Sequence, residues 1–377
     1  MQPEDPFLRH RPVTGRRQFP EAYRILEDAM DAHAFPGCAF GVLAGGESLL
    51  VDAMGRFTYE TDVPAVKPET AFDVASLTKV VSTTSVAMLL HQRGQLDLDQ
   101  PLGDLLPGFV VGRPIGDKAR HVRLRHLLAH NSGLPGYVEF FRTLSTPAAL
   151  YRACLELPIE AEPGTRSEYS DPGFILLGKA LELSMGEQLA AWTRREIFQP
   201  AGMTATGFCP LPPVRAAIPP TEEDMGFRHR RIQGEVQDEN AWVLEGAAGH
   251  AGVFSNVPDL LSFAHQILGA EGAQSPESER PRLFHSDTVE FFAQRQGPYG
   301  SSRGLGWDTP SENSSSGKQF SLRSIGHLGY SGCSLWIDLD ARVAIVLLTN
   351  RTWPDRSNQK IRQVRPAFHD AIRGALR

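Results

Sequence analysis

A serine hydroxyl is a poor nucleophile near neutral pH, so a serine that does chemistry needs a proton acceptor held beside it. Ser76-Leu77-Thr78-Lys79 offers such a pair, because a residue and its third successor share one face of a helix. Lysine buried there would act as the base if desolvation lowers its pKa. Spacing of this kind arises by chance about once in a chain of ordinary composition. Here it occurs three times, at Ser76, Ser315 and Ser357. Ser315 lies in a Ser- and Gly-rich stretch and Ser357 follows a turn, whereas Ser76 opens an apolar run through Val80, Val81, Val86, Met88, Leu89 and Leu90 that stops at Gly94. Ser76 is therefore expected at a helix N-terminus, where backbone N–H groups can face a developing oxyanion. A serine cap followed by a solvated lysine is the alternative for this motif taken alone.

Two further stretches could complete a site. Tyr169-Ser170-Asp171 precedes Pro172-Gly173-Phe174-Ile175-Leu176-Leu177-Gly178, a run that reads as a helix start with proline at its first position. Asp171 then reads as the helix N-cap, and Tyr169 sits on the preceding loop, where its phenol could move a proton in a cleft. His327-Leu328-Gly329 leads into Tyr330-Ser331-Gly332-Cys333 and the apolar Leu335-Trp336-Ile337, so its backbone lies on a sheet edge that could pair with a substrate and offer an amide to an oxyanion. The glycines beside it permit close approach. A second His-x-Gly, His250-Ala251-Gly252, reads as a structural turn.

Rival chemistries find less support. Gly329-Tyr330-Ser331-Gly332-Cys333 lacks the last glycine of a nucleophile elbow. His126 and His130 have the spacing of a zinc helix, but no glutamate follows the first and no third ligand is evident, so helix packing is the better reading. No phosphate-cradling or dinucleotide loop is present, and no metal or cofactor is called for. A net charge of −6, with basic residues scattered along the chain, argues against nucleic acid as a partner. Cys38, Cys154, Cys209 and Cys333 are too widely spaced for a metal or redox pair and read as reduced packing residues.

These motifs need a scaffold larger than one core. At 377 residues the chain exceeds the usual single-core limit, which points to one domain with a second inserted in it. Pro20 to Ala34 has helical spacing, Cys38 to Asp52 reads as a hairpin, Gly249 to Phe254 as a strand, Pro258 to Leu268 as a helix, and Leu335 to Asn350 as a hairpin turning at Asp338-Leu339-Asp340-Ala341. The final residues, with Ala367, Phe368, Ala371, Ile372, Ala375 and Leu376 on one face, form the stripe of a helix that covers a sheet. The expectation is an α+β fold, an antiparallel sheet flanked by helices, formed by residues 1–80 and 241–377, with an inserted all-helical domain over 81–240. Polar stretches from Glu271 to Arg282 and from Gly297 to Lys318 read as surface loops, the second more often a solvated connection than a border of the cleft mouth. No apolar run marks a secretory leader in Met1–Pro20 and none is long enough to span a membrane, which places the chain as written in the cytoplasm, or in the periplasm or outside the cell if a leader was removed.

With these motifs the chain resembles the serine β-lactamase and penicillin-binding-protein superfamily, in the branch of class C β-lactamases, DD-carboxypeptidases and family VIII carboxylesterases. Leu124 to Pro135, Ala247 to Ser255 and the strand ending Leu347-Leu348-Thr349-Asn350 extend the likeness to residues 20–375. The resemblance implies Ser76 as the acylated nucleophile, Lys79 and Tyr169 exchanging its proton, and the amides of Ser76 and Tyr330 as the oxyanion hole, with His327 and Gly329 on the substrate-binding strand. His327 stands where the family often has lysine, and Asp171 where it more usually has asparagine. A neutral or partly charged imidazole attracts a carboxylate less than an ammonium does, and a carboxylate cannot donate to a β-lactam side-chain amide. The expected activity is therefore hydrolysis of a small ester, with weak β-lactam hydrolysis. A β-lactamase, a D-amino-acid or DD-peptidase, and a non-catalytic penicillin-type binder or scaffold are the alternatives.

Overall fold

The computed structural model describes residues 15–269 and 282–377. Residues 1–14, and the polar stretch from Glu271 apart from Arg282, lie outside the described residues. Ten strands are formed among the described residues: β1 (Gly37–Ala44), β2 (Glu47–Gly55), β3 (Phe72–Asp73), β4 (Gly207–Phe208), β5 (Glu222–Asp224), β6 (Arg230–Ile232), β7 (Val253–Ser255), β8 (Ser324–Leu328), β9 (Ser334–Asp338) and β10 (Val343–Thr349). Five of them make an antiparallel sheet in the order β2-β1-β10-β9-β8, with Phe40 opposite Leu347, Ile345 opposite Trp336 and His327 opposite Leu335. The β9–β10 hairpin turns over 338–342, where the Asp338 carboxylate accepts the Ala341 amide hydrogen at 2.9 Å.

Both faces of this sheet are buried, which is why β10 is an unbroken apolar run rather than an alternating one. Side chains still divide with a period of two. Phe40, Val42, Ile345 and Leu347 point to the face covered by the helices Pro20–Asp31 and Ile361–Ala375, packing on Leu26, Phe368 and Ile372. Ala39, Leu43, Ala344, Val346 and Leu348 point to the other face, against the helix Val257–Gly269 and the core beyond it.

The interval 81–240 is mostly helices and short turns, and it also contains β4, β5 and β6. β4 and β3 both pair with β7, so a three-stranded sheet ties this interval to the strand that leads into Ser76. The stretch Gly297 to Lys318 is more than a surface loop, because Leu305 and Trp307 are fully buried and Trp307 stacks on Phe263 with centroids 6.4 Å apart. No helix among the described residues is long and apolar enough to cross a membrane. Cys38, Cys154 and Cys333 are buried free thiols as read, but Cys209 is exposed.

Candidate active site

β3 positions Ser76. Its pairing with β7 holds Phe72 and Asp73, and the chain then turns sharply at Ala75, whose φ of +48° is unusual for a residue with a side chain. Asp73 stabilises the turn by accepting the Ala75 amide hydrogen at 2.8 Å, and its other oxygen accepts that of Gln237 at 2.7 Å. Burial pushes the Asp73 carboxyl up to about 6, against those two hydrogen bonds. Ala75–Leu77 is a single 3-10 turn, and Ser76 is the one residue between Phe72 and Val80 that is not buried. Beyond it the expected regular helix is widened into a π-turn over Lys79–Thr84 and becomes α-helical only at Ser85–Gln92. Side-chain hydroxyls accompany the widened turn: Thr83 donates to the Gly249 carbonyl at 2.6 Å, and Ser85 to the Val80 carbonyl at 2.7 Å.

Lys79 is 0% exposed, and its ammonium contacts three acceptors: Ser76 Oγ at 3.0 Å, Asp171 Oδ1 at 2.6 Å and the His250 carbonyl at 3.2 Å. The condition under which Lys79 would serve as a free base, a lowered pKa, is not met. Burial does pull the ammonium down, but Asp171, with Tyr169 contributing, holds it above the ordinary lysine range. The Tyr169 phenol lies beside both Ser76 and Lys79, and burial, with Asp171 adding to it, raises its pKa against the pull of Lys79. Lys79 is thus charged and Tyr169 a neutral phenol in the resting site.

Ser170, not Asp171, caps the helix Asp171–Met185: its Oγ accepts the Gly173 amide hydrogen at 3.1 Å and donates to the Pro135 carbonyl at 2.7 Å. Asp171 is the first helical residue, and its carboxylate is left free to meet Lys79. The Tyr169 loop is pinned by His130, whose carbonyl accepts from the Glu168 amide at 2.8 Å and whose Nδ1 accepts from the Ser170 amide at 3.0 Å. The His130 ring lies 4.5 Å from that of Tyr169 and 4.9 Å from that of Phe174. His126 accepts instead from the Arg123 amide at 3.1 Å, so each histidine is committed to a backbone group.

β8 forms the opposite wall. His327 Nδ1 donates to the Leu328 carbonyl at 2.8 Å, and burial, reinforced by Lys79 and Arg303, holds its pKa well below 6.5, so the ring is neutral. Gly329 approaches the nucleophile turn too closely for any side chain: a Cβ there would meet the Val74 carbonyl oxygen at 2.4 Å. The 329–333 turn is clamped by Arg365, which donates to the carbonyls of Gly329 at 2.6 Å and Cys333 at 2.9 Å, and by Arg351, which donates to that of Tyr330 at 2.7 Å. Tyr330 itself is 49% exposed, with the Arg351 guanidinium 4.4 Å from its ring centroid. Ser76, Tyr169, Arg303, His327, Gly329 and Tyr330 line one open cleft of about 670 Å3.

A family model described as Beta-lactamase matches residues 23–367. The chain belongs to the β-lactamase family. Among curated proteins it is 30% identical over 355 residues to an N-acetylmuramyl-L-alanine amidase of Bacillus subtilis strain 168, covering 85% of this chain and 78% of that one. It is 29% identical over 320 residues to a putative D-alanyl-D-alanine carboxypeptidase of Salmonella typhi, covering 78% and 72% respectively. The fold matches that of EstCE1, a hydrolase with promiscuous acyltransferase activity, with a TM-score of 0.70 at 21% identity over 95% of this chain and all of that one. This β-lactamase-family protein is accordingly a serine hydrolase.

Asp238 and Arg303, both near Lys79 and Tyr169, had no signal of their own in the sequence. His250 was read as a structural turn, and it does lie in one, but its carbonyl binds Lys79 and its Nε2 meets Asp238 Oδ1 at 2.9 Å. Burial would raise the Asp238 carboxyl, and contact with His250 overrides this and holds it well below the usual carboxylate range. Arg303 comes from the polar 297–318 stretch and lies over Tyr169, 5.2 Å from its ring centroid. Among the described residues no group of three or more His, Cys, Asp or Glu is placed to hold a metal ion.

Proposed function

We propose that this hydrolase works through an acyl-enzyme on Ser76 and acts chiefly on small esters, with weak β-lactam hydrolysis. Ser76 Oγ attacks the carbonyl, Lys79 and Tyr169 exchange its proton, and the amides of Ser76 and Tyr330 receive the oxyanion. Water then releases the acyl group. The observation that carries this reading is the contact of Lys79 Nζ with Ser76 Oγ at 3.0 Å, at the floor of a cleft whose walls are Tyr169 and β8. A small ester is favoured because the substrate strand presents a neutral imidazole at His327, and Asp171, a carboxylate held by Lys79, offers no amide donor to a β-lactam side chain.

A second reading has its own support. Arg303 on the cleft wall suits a substrate that carries a carboxylate, and the curated relatives are named as an amidase and carboxypeptidases. Hydrolysis of p-nitrophenyl butyrate, of a chromogenic cephalosporin and of a peptide ending in D-alanyl-D-alanine, by wild type and Ser76→Ala at matched concentration, separates these. The ester is expected to turn over fastest in the wild type and not at all in the variant. Full ester turnover by Ser76→Ala would remove the acyl-enzyme, and faster peptide cleavage would move the substrate class to the second reading.

A further inference from the structure

The charge of Lys79 leaves a question that the acyl-enzyme scheme must answer: an ammonium cannot accept the Ser76 proton unless it gives one up. Asp171 Oδ1 is 2.6 Å from the same nitrogen, on the opposite side of a short relay from Ser76 Oγ at 3.0 Å. We infer that the Asp171 carboxylate is the terminal proton acceptor of acylation, reached through Lys79. The N–H directed at Asp171 breaks first and an O–H forms on Oδ1; the resulting amine turns about its Cε–Nζ bond so that its lone pair faces Ser76, and as Ser76 Oγ attacks, its O–H bond breaks and an N–H bond forms at Nζ. Lys79 regains its third hydrogen, the negative charge of Asp171 is neutralised, and the tetrahedral oxyanion takes up that charge. Collapse reverses the relay and delivers the proton to the departing oxygen. This inference rests on the Ser76 acyl-enzyme proposed above.

Placement supports the relay over a free-amine lysine. A neutral amine could satisfy the same three contacts by turning its lone pair to Ser76, but it would leave a carboxylate that is only 15% exposed facing no counter-charge. The other ionisable neighbours do not supply one. Tyr169 and Tyr137 are phenols held in the neutral form, chiefly by burial. His130 and His327 are neutral rings whose pKa values burial depresses. Asp238 is a second carboxylate, paired with His250. Arg303 lies over Tyr169 on the cleft side, 3.9 Å from Asp308 Oδ2. The third hydrogen of Lys79 is fixed on the His250 carbonyl, which orients the remaining two toward Ser76 and Asp171.

Asp171→Asn is nearly isosteric and removes the acceptor, leaving Lys79 without the carboxylate that holds its pKa up. Any remaining acylation must then use the free amine, so the acid limb of kcat/KM in the variant should follow loss of the Lys79 ammonium proton and lie at higher pH than in the wild type. The expected result for p-nitrophenyl butyrate is an acid limb at least about one pH unit higher in the variant, with kcat reduced about tenfold or more at pH 6. Asp171→Ala should move it in the same direction, while Asp171→Glu leaves it at the wild-type position. An acid limb at the same pH in wild type, Asp171→Asn and Asp171→Ala would overturn the relay. Labelling by a fluorophosphonate, read by peptide mass spectrometry, keeps the two ideas apart: label on Ser76 with an unmoved limb defeats only the relay, and label absent from Ser76 in active wild type defeats the acyl-enzyme as well.

Discussion

Gly329 sits directly against Val74: a Cβ on the glycine would lie 2.4 Å from the Val74 carbonyl oxygen and 3.1 Å from the Cys333 Cβ. The end of β8 and the turn carrying Ser76 are therefore one packed unit, further joined by the hydrogen bond from Ser331 Oγ to the Asp73 carbonyl at 2.7 Å.

Gly329→Ala tests that contact. The obstacle is backbone rather than a flexible side chain, so strand and turn must separate, and a displacement of this size at a reacting centre costs on the order of 100-fold in rate. We expect kcat/KM for p-nitrophenyl butyrate to fall by about that factor. Unchanged kinetics would show that the spacing of β8 from Ser76 is unimportant.

Lys79→Met separates catalysis from stability. It leaves the Asp171 carboxylate without its partner, a loss of about 3–5 kcal/mol for a buried pair. Urea unfolding should record that loss together with abolished acylation. The double variant Lys79→Met/Asp171→Asn should recover most of the stability and none of the activity, because no uncompensated charge remains.

Asp73 gives the stability a pH dependence of defined sign. Its carboxyl is raised from 3.8 to about 6 in the folded state, so the native protein binds the proton more tightly than the unfolded chain does. Its contribution is most favourable below the unfolded value and is lost as pH rises through 6, a change of about 3 kcal/mol across that window. Asp73→Asn removes this titration. The difference in unfolding free energy between wild type and variant should shift in the variant's favour between pH 4 and pH 7, and a difference constant across that range would contradict the burial of an ionisable group there.

Arg303→Gln bears on the substrate. If a carboxylate-bearing substrate docks on that wall, its KM should rise about tenfold, the worth of one charge-assisted contact, while the uncharged butyrate ester changes much less. Equal effects on both substrates would assign Arg303 to the support of Tyr169 instead.

Much of this arrangement was legible in the linear chain because it is local. The apolar run after Ser76, the loop position of Tyr169 and the strand context of His327 each follow from residues within one turn or one strand, and the β1–β2 and β9–β10 hairpins follow from their own patterning. The errors are also instructive. Asp171 looked like a cap because it precedes a proline, yet Ser170, one residue earlier, takes that role, and a shift of one position turns a structural carboxylate into a partner for Lys79. The π-turn after Ser76 carries hydroxyl contacts to Gly249 and Thr193, far away in the chain, which no local pattern announces.

The amino-acid sequence by itself determined the hydrolase family, the mixed helix and antiparallel-sheet fold and the residue types available for chemistry, since these rest on periodicity and short motifs. Tertiary structure alone decided the charge of Lys79, the neutrality of His327 and the arrival of His250, Asp238 and Arg303. Protonation states follow from burial and from charges within a few ångströms, and neither is a property of neighbours along the chain.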